Sequence, residues 1–210
     1  MSIPEERTGI YRGQTLDDRV EDRRNQLLDA TLTVISEGGA AAVTVRAVTR
    51  VANLSPRYFY ESFADRSQLL TAAADRAFRN MQLAVDDAMA EADNDPLEQT
   101  RAAIGAVCTS LDDDPRLGRF LREAQAEPDL RARLETDIPA FIGITSSNLA
   151  DETWYKSADP KLVALDICAL SGAMIHLLSS WTENRLDIPR AQFIDYCTGI
   201  VGDMIRRRSL

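Results

Sequence analysis

The stretch TVRAVTRVANLSPRYFYESFADRSQL, Thr44 to Leu69, holds the side chains whose types and spacing best suit a chemical task. Arg46, Arg57 and Arg66 bring planar cations, and Thr44, Ser55, Tyr58 and Tyr60 bring hydroxyl groups. From Thr44 to Ala64 the only acid is Glu61. Guanidinium forks and hydroxyls with so little negative charge among them suit anions, either phosphate oxygens or the O6/N7 edge of a guanine. They do not suit catalysis. The chain has a single histidine, His176, with no Gly-rich phosphate loop, no cluster at metal-ligand spacing and no Ser–His–Asp set that stands out. Neither an enzyme nor a cofactor or metal is expected.

Two short helices and a tight turn would present these groups. Thr44 is a good N-cap, and Val48, Val51 and Ala52 form one apolar stripe behind it. Asn53 stands where that helix must stop and accepts a left-handed conformation more readily than most residues. Ser55-Pro56 restarts the chain as a helix, because proline keeps its predecessor out of the α region and is welcome at the first helical position. The helix that follows, Pro56–Ser62, is too short to be stable alone, so it serves to display side chains. Asp65 with Gln68 three residues on is a capping-box pattern opening a long helix. Its stripe of Leu69, Leu70, Ala73, Ala77, Met81, Val85 and Ala88 runs until Asn94-Asp95-Pro96. Upstream, a helix over Asp22–Glu37 is closed by Gly38-Gly39, preceded by a polar arm over residues 1–20 whose Arg7, Arg12 and Arg19 could reach a DNA backbone or lie in solvent.

The rest of the chain predicts helices and no strands: Leu97–Leu111, Pro115–Gln125, Pro128–Ala150, Pro160–Asn184 and Pro189–Arg207. The fold class is all-α with about nine helices, divided as an arm (1–20), an N-terminal helical domain (21–80) and a larger C-terminal domain (81–210). The Pro160 helix is apolar nearly all round, with Ala169, Gly172 and Ala173 permitting close approach, and the last helix carries Phe193, Cys197, Ile200, Val201 and Met204 on one face. Two such helices from each of two subunits would make a four-helix homodimer interface. A buried central helix in a monomer is the other reading of the same pattern. Asp112-Asp113-Asp114 before Pro115 reads as a helix end and a cap rather than a cation site, and Arg206–Arg208 suits the negative end of the last helix.

Charge divides the 210-residue chain. Residues 1–80 hold 11 Arg and 11 Asp/Glu, whereas residues 81–210 hold 13 Lys/Arg and 22 Asp/Glu, so the net −9 belongs to the second part. A neutral N-terminal part can still bind phosphate if its arginines share a face. No apolar leader is visible at the N-terminus, and Asp166 and His176 argue against a membrane span in the Pro160 helix. Cys108, Cys168 and Cys197 are odd in number and set in helical patterns, which fits free buried thiols in a reducing cytoplasm.

The pattern RRNQLLDATLTVISEGGAAAVTVRAVTRVANLSPRYFYESFADRSQLL resembles the DNA-binding domain of the tetracycline-repressor (TetR) family over about residues 20–75. The matching features are Leu27-Leu28, Val34-Ile35 and Gly38 in the first helix, Thr44-Val45, the turn Ala52-Asn53-Leu54-Ser55, Tyr60 with Phe63, and Arg66 with Leu69. Asn53 stands where the family commonly has Gly, Ser62 where a second aromatic is common, and Pro56-Arg57 replaces a small or Lys-Gly pair. The resemblance implies a ligand-released repressor, dimeric on a palindromic double-stranded DNA operator. It places Arg57 and Tyr58 at base edges, with Ser55 and Pro56 at the start of the same helix, and gives Arg46 a base or phosphate. Thr44, Tyr60 and Arg66 would hold phosphates, with Phe59 and Phe63 turned inward. It also implies a small-molecule pocket in the C-terminal domain, for which Met81, Phe120, Phe141, Ile144, Trp154, His176 and Trp181 are candidates and for which ordinary core is the competing assignment. A helical interaction module that keeps the fold without specific DNA binding is the alternative function, favoured by the neutral charge of residues 1–80.

Overall fold

The computed structural model describes residues 16–149 and 159–208. Among these, nine α-helices and one 3-10 turn account for the regular structure, with no strand. In chain order they are α1 (Leu16–Gly38), the 3-10 turn (Ala40–Ala42), α2 (Val45–Val51), α3 (Pro56–Ser62), α4 (Arg66–Glu91), α5 (Pro96–Asp113), α6 (Arg116–Ala126), α7 (Pro128–Leu149), α8 (Pro160–Thr182) and α9 (Arg190–Arg208).

The breaks follow local chemistry. Gly39 ends α1 at φ 79, ψ 172, a region that only glycine occupies without strain. Asp65 accepts a hydrogen bond from Gln68 N at 2.8 Å, and the Gln68 amide oxygen accepts from Ala64 N at 2.6 Å, so the capping box closes one residue further upstream than the usual reciprocal pair. Asp95 and Asp159 cap α5 and α8 in the same manner, each followed by proline. Asn184 sits at φ 52 and folds the chain back, with Asn184 N donating to Trp181 O, which is why α8 stops at Thr182 rather than at Asn184.

One correction concerns the arm. Helix α1 begins at Leu16, so Arg19 is helical, while Arg7 and Arg12 lie outside the described residues. The first turns, LDDRVEDRR, have good helix formers but no sustained apolar stripe, so periodicity did not reveal them.

The main core is continuous from Leu27 and Ile35 of α1 through Phe59, Phe63, Leu69, Leu70 and Val85 to Phe120, Leu130 and Leu134. Helix α4 runs along α5 and α7, and α6 packs across α1. Arg116 at the start of α6 donates to Thr33 Oγ1 and Asp29 Oδ1 of α1, each at 2.9 Å, and to Asp114 Oδ1 at 2.8 Å. That pairing holds the Asp114 carboxyl below the ordinary carboxylate range. A second, smaller core joins Cys108 of α5 to Phe193 and Cys197 of α9, with Trp181 stacked on Phe193 at 5.0 Å. Arg101–Asp195 and Arg190–Asp112 ion pairs hold α9 to α5.

Helix α8 departs from its expected burial. Leu170, Ser171, Ser179 and Ser180 face the body, but Leu162, Leu165, Cys168, Ala169, Gly172 and His176 are exposed. Their spacing of three and four residues makes them one stripe down the helix. His176 is therefore not a core group of the protomer, and Cys168 is not a buried thiol as Cys108 and Cys197 are. By length and composition α8 is also apolar enough to cross a membrane.

Candidate nucleic-acid interface

Helix α2 is fixed at its start by Thr44, whose hydroxyl oxygen accepts from Ala47 N at 3.1 Å. That hydroxyl keeps its own proton to donate outward. At the other end Asn53 adopts φ 52, and Leu54 N donates to Thr49 O at 2.9 Å, closing the turn. Ser55, extended at φ −76 and ψ 153, starts α3 with Pro56 next, and its hydroxyl makes no cap bond within the helix. Both boundaries agree with the sequence reading, because each is dictated by a residue at the break itself.

Helix α3 has a buried side and a bare one. Phe59 and Phe63 are fully buried with ring centroids 5.9 Å apart, and Phe59 meets Tyr60 edge-on at 5.3 Å. Burying a phenyl ring of this kind contributes about 1.5–3 kcal/mol, enough to seat a two-turn helix that has little stability of its own. The opposite side presents Arg57, whose side chain is 84% exposed, and Tyr60 at 63%. Arg57 Nε donates to Glu61 Oε1 at 2.8 Å, an i,i+4 pair that orients the guanidinium along the helix while leaving it in solvent. Arg46 on α2 is exposed as well, and Tyr58 is half-buried. The structure thus brings Thr44, Arg46, Ser55, Pro56, Arg57, Tyr58 and Tyr60 onto two adjoining short helices, with no catalytic base among them.

Arg66 is placed differently from the expectation. Its guanidinium donates to Val43 O at 3.0 Å, to Ala40 O at 2.8 Å and to both oxygens of Glu127 at 3.1 and 3.2 Å. These bonds tie the turn before α2 to the α6–α7 junction, and a phosphate would have to displace a bidentate carboxylate to reach it. Local patterning carries no sign of this, because Glu127 is 61 residues away. Two further arginines reach α3 and its C-terminal end from α1. Arg23 of α1 lies 4.5 Å over the Tyr58 ring, and Arg24 lies 4.5 Å over Phe63 and donates to Ser62 O at 3.1 Å. Their signal in the sequence was the Arg pair just ahead of the apolar stripe of α1, obscured by four neighbouring acids, Asp17, Asp18, Glu21 and Asp22.

Residues 27–73, which contain this whole turn, match the family described as bacterial regulatory proteins, tetR family. Over this segment the chain is similar to the TetR family. The architecture around this helix pair is shared with solved structures. A TetR family regulator from Marinobacter aquaeolei VT8 superposes with a TM-score of 0.65 over 90% of this chain and 97% of that one, at 19% identity. The fatty acid degradation regulator FadR from Bacillus halodurans gives 0.68 over 85% and 93%, at 16% identity. At such identities the likeness is one of fold. Among curated proteins, the HTH-type transcriptional repressor KstR of Mycolicibacterium smegmatis is 31% identical over 116 residues, 55% of this chain and 56% of that protein. The HTH-type transcriptional regulator BetI of Stenotrophomonas maltophilia is 35% identical over 100 residues, 48% of this chain and 50% of that protein. The chain thus spans about half the length of the curated relatives it matches.

Of the residues expected to line an effector pocket, those that are described fall in different parts of the fold. Met81 and Phe120 are buried members of the main core. Trp181 belongs to the second core, stacked on Phe193, and His176 is exposed on α8. The side chains of Phe141 and Ile144, and all of Trp154, lie outside the described residues. No group of three His, Cys, Asp or Glu poised to hold a metal ion occurs among the described residues.

Proposed function

We propose that the chain is a DNA-binding transcriptional regulator of the bacterial cytoplasm, a repressor that acts as a homodimer on a palindromic operator and leaves it when a small ligand binds. The observation that carries the reading is the bare, donor-rich side of α3, backed by the buried Phe59 and Phe63, within the segment that matches the family. Helix α3 would enter the major groove with Arg57 and Tyr58 at base edges and Ser55-Pro56 at the entry point. Thr44, Arg46, Tyr60 and Arg23 would engage flanking phosphates, which position the protein without reading sequence. That relatives are named as a transcriptional repressor and a transcriptional regulator supports the same assignment. The exposed apolar stripe of α8, and Tyr196 exposed on α9, would be covered by the same helices of a second copy. A ligand would act by favouring the arrangement in which the two α3 helices no longer match successive grooves, since a ligand without differential affinity shifts nothing.

The test is a fluorescence-anisotropy titration of the full chain against DNA from upstream of its own gene. Specific binding that weakens steeply with salt is the expected result, because each phosphate neutralised releases counterions. Affinity indifferent to salt and sequence would instead establish a helical interaction module.

A further inference from the structure

Away from α2 and α3, one cleft runs against the charge of its surroundings. Residues 81–210 carry nine more acids than bases, yet a cleft of about 470 Å³ between α6 and the end of α8 is lined by three arginines, Arg119, Arg122 and Arg185, and one acid, Glu183. Thr182 and Gly118 line it as well, and a Cβ at Gly118 would stand 3.0 Å from Thr182 Cβ, so the glycine lets the two helices approach.

The three guanidiniums share few counter-charges. Arg122 Nη1 and Arg185 Nε both reach Glu183, at 3.0 and 2.7 Å. Arg119 and Arg122 also face one oxygen of Glu123, at the long distances of 3.9 and 3.7 Å. The other oxygen of Glu123 accepts from Ala40 N at 3.0 Å, in the 3-10 turn that leads into α2. Gly39 beside it admits the carboxylate, since a Cβ there would lie 2.7 Å from Glu123 Oε2. A single carboxylate outside the cleft's lining therefore has one oxygen near two of its arginines and one on the turn ahead of the candidate DNA-binding helices.

We propose that this cleft binds a small metabolite bearing phosphate or carboxylate groups, at a site separate from any pocket inside the core, and that Glu123 transmits its occupancy to the turn at Ala40. Guanidinium forks make charge-assisted, bidentate bonds to either group. An anion seated between Arg119 and Arg122 takes the donors that face Glu123 Oε1 and repels that carboxylate, which loosens its hold on Ala40 N. Linkage makes the effect reciprocal: weakening Glu123 strengthens anion binding. The transmission to DNA rests on the regulator reading above, but the binding does not, and the test uses no DNA.

Isothermal titration of the full chain with pyrophosphate, and separately with citrate, at low ionic strength measures the site, and the arm that binds identifies the anion class. Saturable one-to-one binding of at least one probe is expected. Arg119→Ala, which gives up only a long contact, should weaken it at least fivefold, and Glu123→Gln should tighten it at least twofold. Amide exchange at Ala40 should accelerate at least tenfold at saturation. No saturable binding of either probe, or an Arg119→Ala affinity equal to the parent's, overturns the site. Binding with unchanged Ala40 exchange overturns the transmission.

Discussion

Among the described residues, helices α3 and α8 each leave one face in solvent, and the two faces have opposite chemistry. Helix α3 has seven residues, inserts Phe59 into the core and turns Arg57 and Tyr60 outward. Helix α8 has 23 residues, most of them apolar, and buries few of them, with Leu165 still 63% exposed. A face rich in donors is satisfied in water and gains from an anionic partner, whereas a bare apolar stripe is costly until another apolar surface covers it. The difference separates the two proposed partners: nucleic acid at α3, a second copy of the chain at α8.

Variants can break each side of that comparison. The largest expected effect is on the shared support: Phe59→Ala should cost about 3–5 kcal/mol of unfolding free energy, read as a fall in urea midpoint, and a change below 1 kcal/mol would mean α3 is not seated by that ring. Leu165→Glu places like charges opposite one another in a dimer, so the dimer dissociation constant should rise at least a hundredfold while helicity is kept, as checked by analytical ultracentrifugation. The same variant sharpens the comparison through Cys168. Burial pushes Cys108 up to about 12 and Cys197 to about 11, so both stay protonated and unreactive at pH 8. Only Cys168 should label with a thiol reagent, faster once the dimer is broken. Arg57→Ala should weaken operator binding at least tenfold, about 1.4 kcal/mol, with dimerisation and melting temperature unchanged. Smallest of all, Asn53→Gly should leave stability within a few tenths of a kcal/mol, because both residues tolerate the left-handed turn, while Asn53→Val should cost at least 1 kcal/mol.

What was legible in the sequence was what is decided locally. Thr44, Asn53, Pro56 and Asp65 act on residues within four positions of themselves, and the ends of α2, α3 and the start of α4 fall where they place them. The role of Arg66 was not legible, since it depends on Glu127 arriving from α7's approach. Nor was Glu123 on Ala40, 83 residues apart. The exposure of His176 and Cys168 escaped for another reason. An apolar helix reads as buried whether its cover is its own chain or another, and periodicity cannot tell the two apart.

The joint made by Arg116, Glu123, Glu127 and Arg66 has a practical consequence for building hybrids. A recognition segment moved from this chain onto a foreign body, or the reverse, would leave Arg66 without its carboxylate and Ala40 N without its acceptor. Specificity here does not travel as a detachable cartridge. A working graft must carry the matching acids of α6 and its junction with α7 along with α2 and α3, the helices proposed to meet DNA.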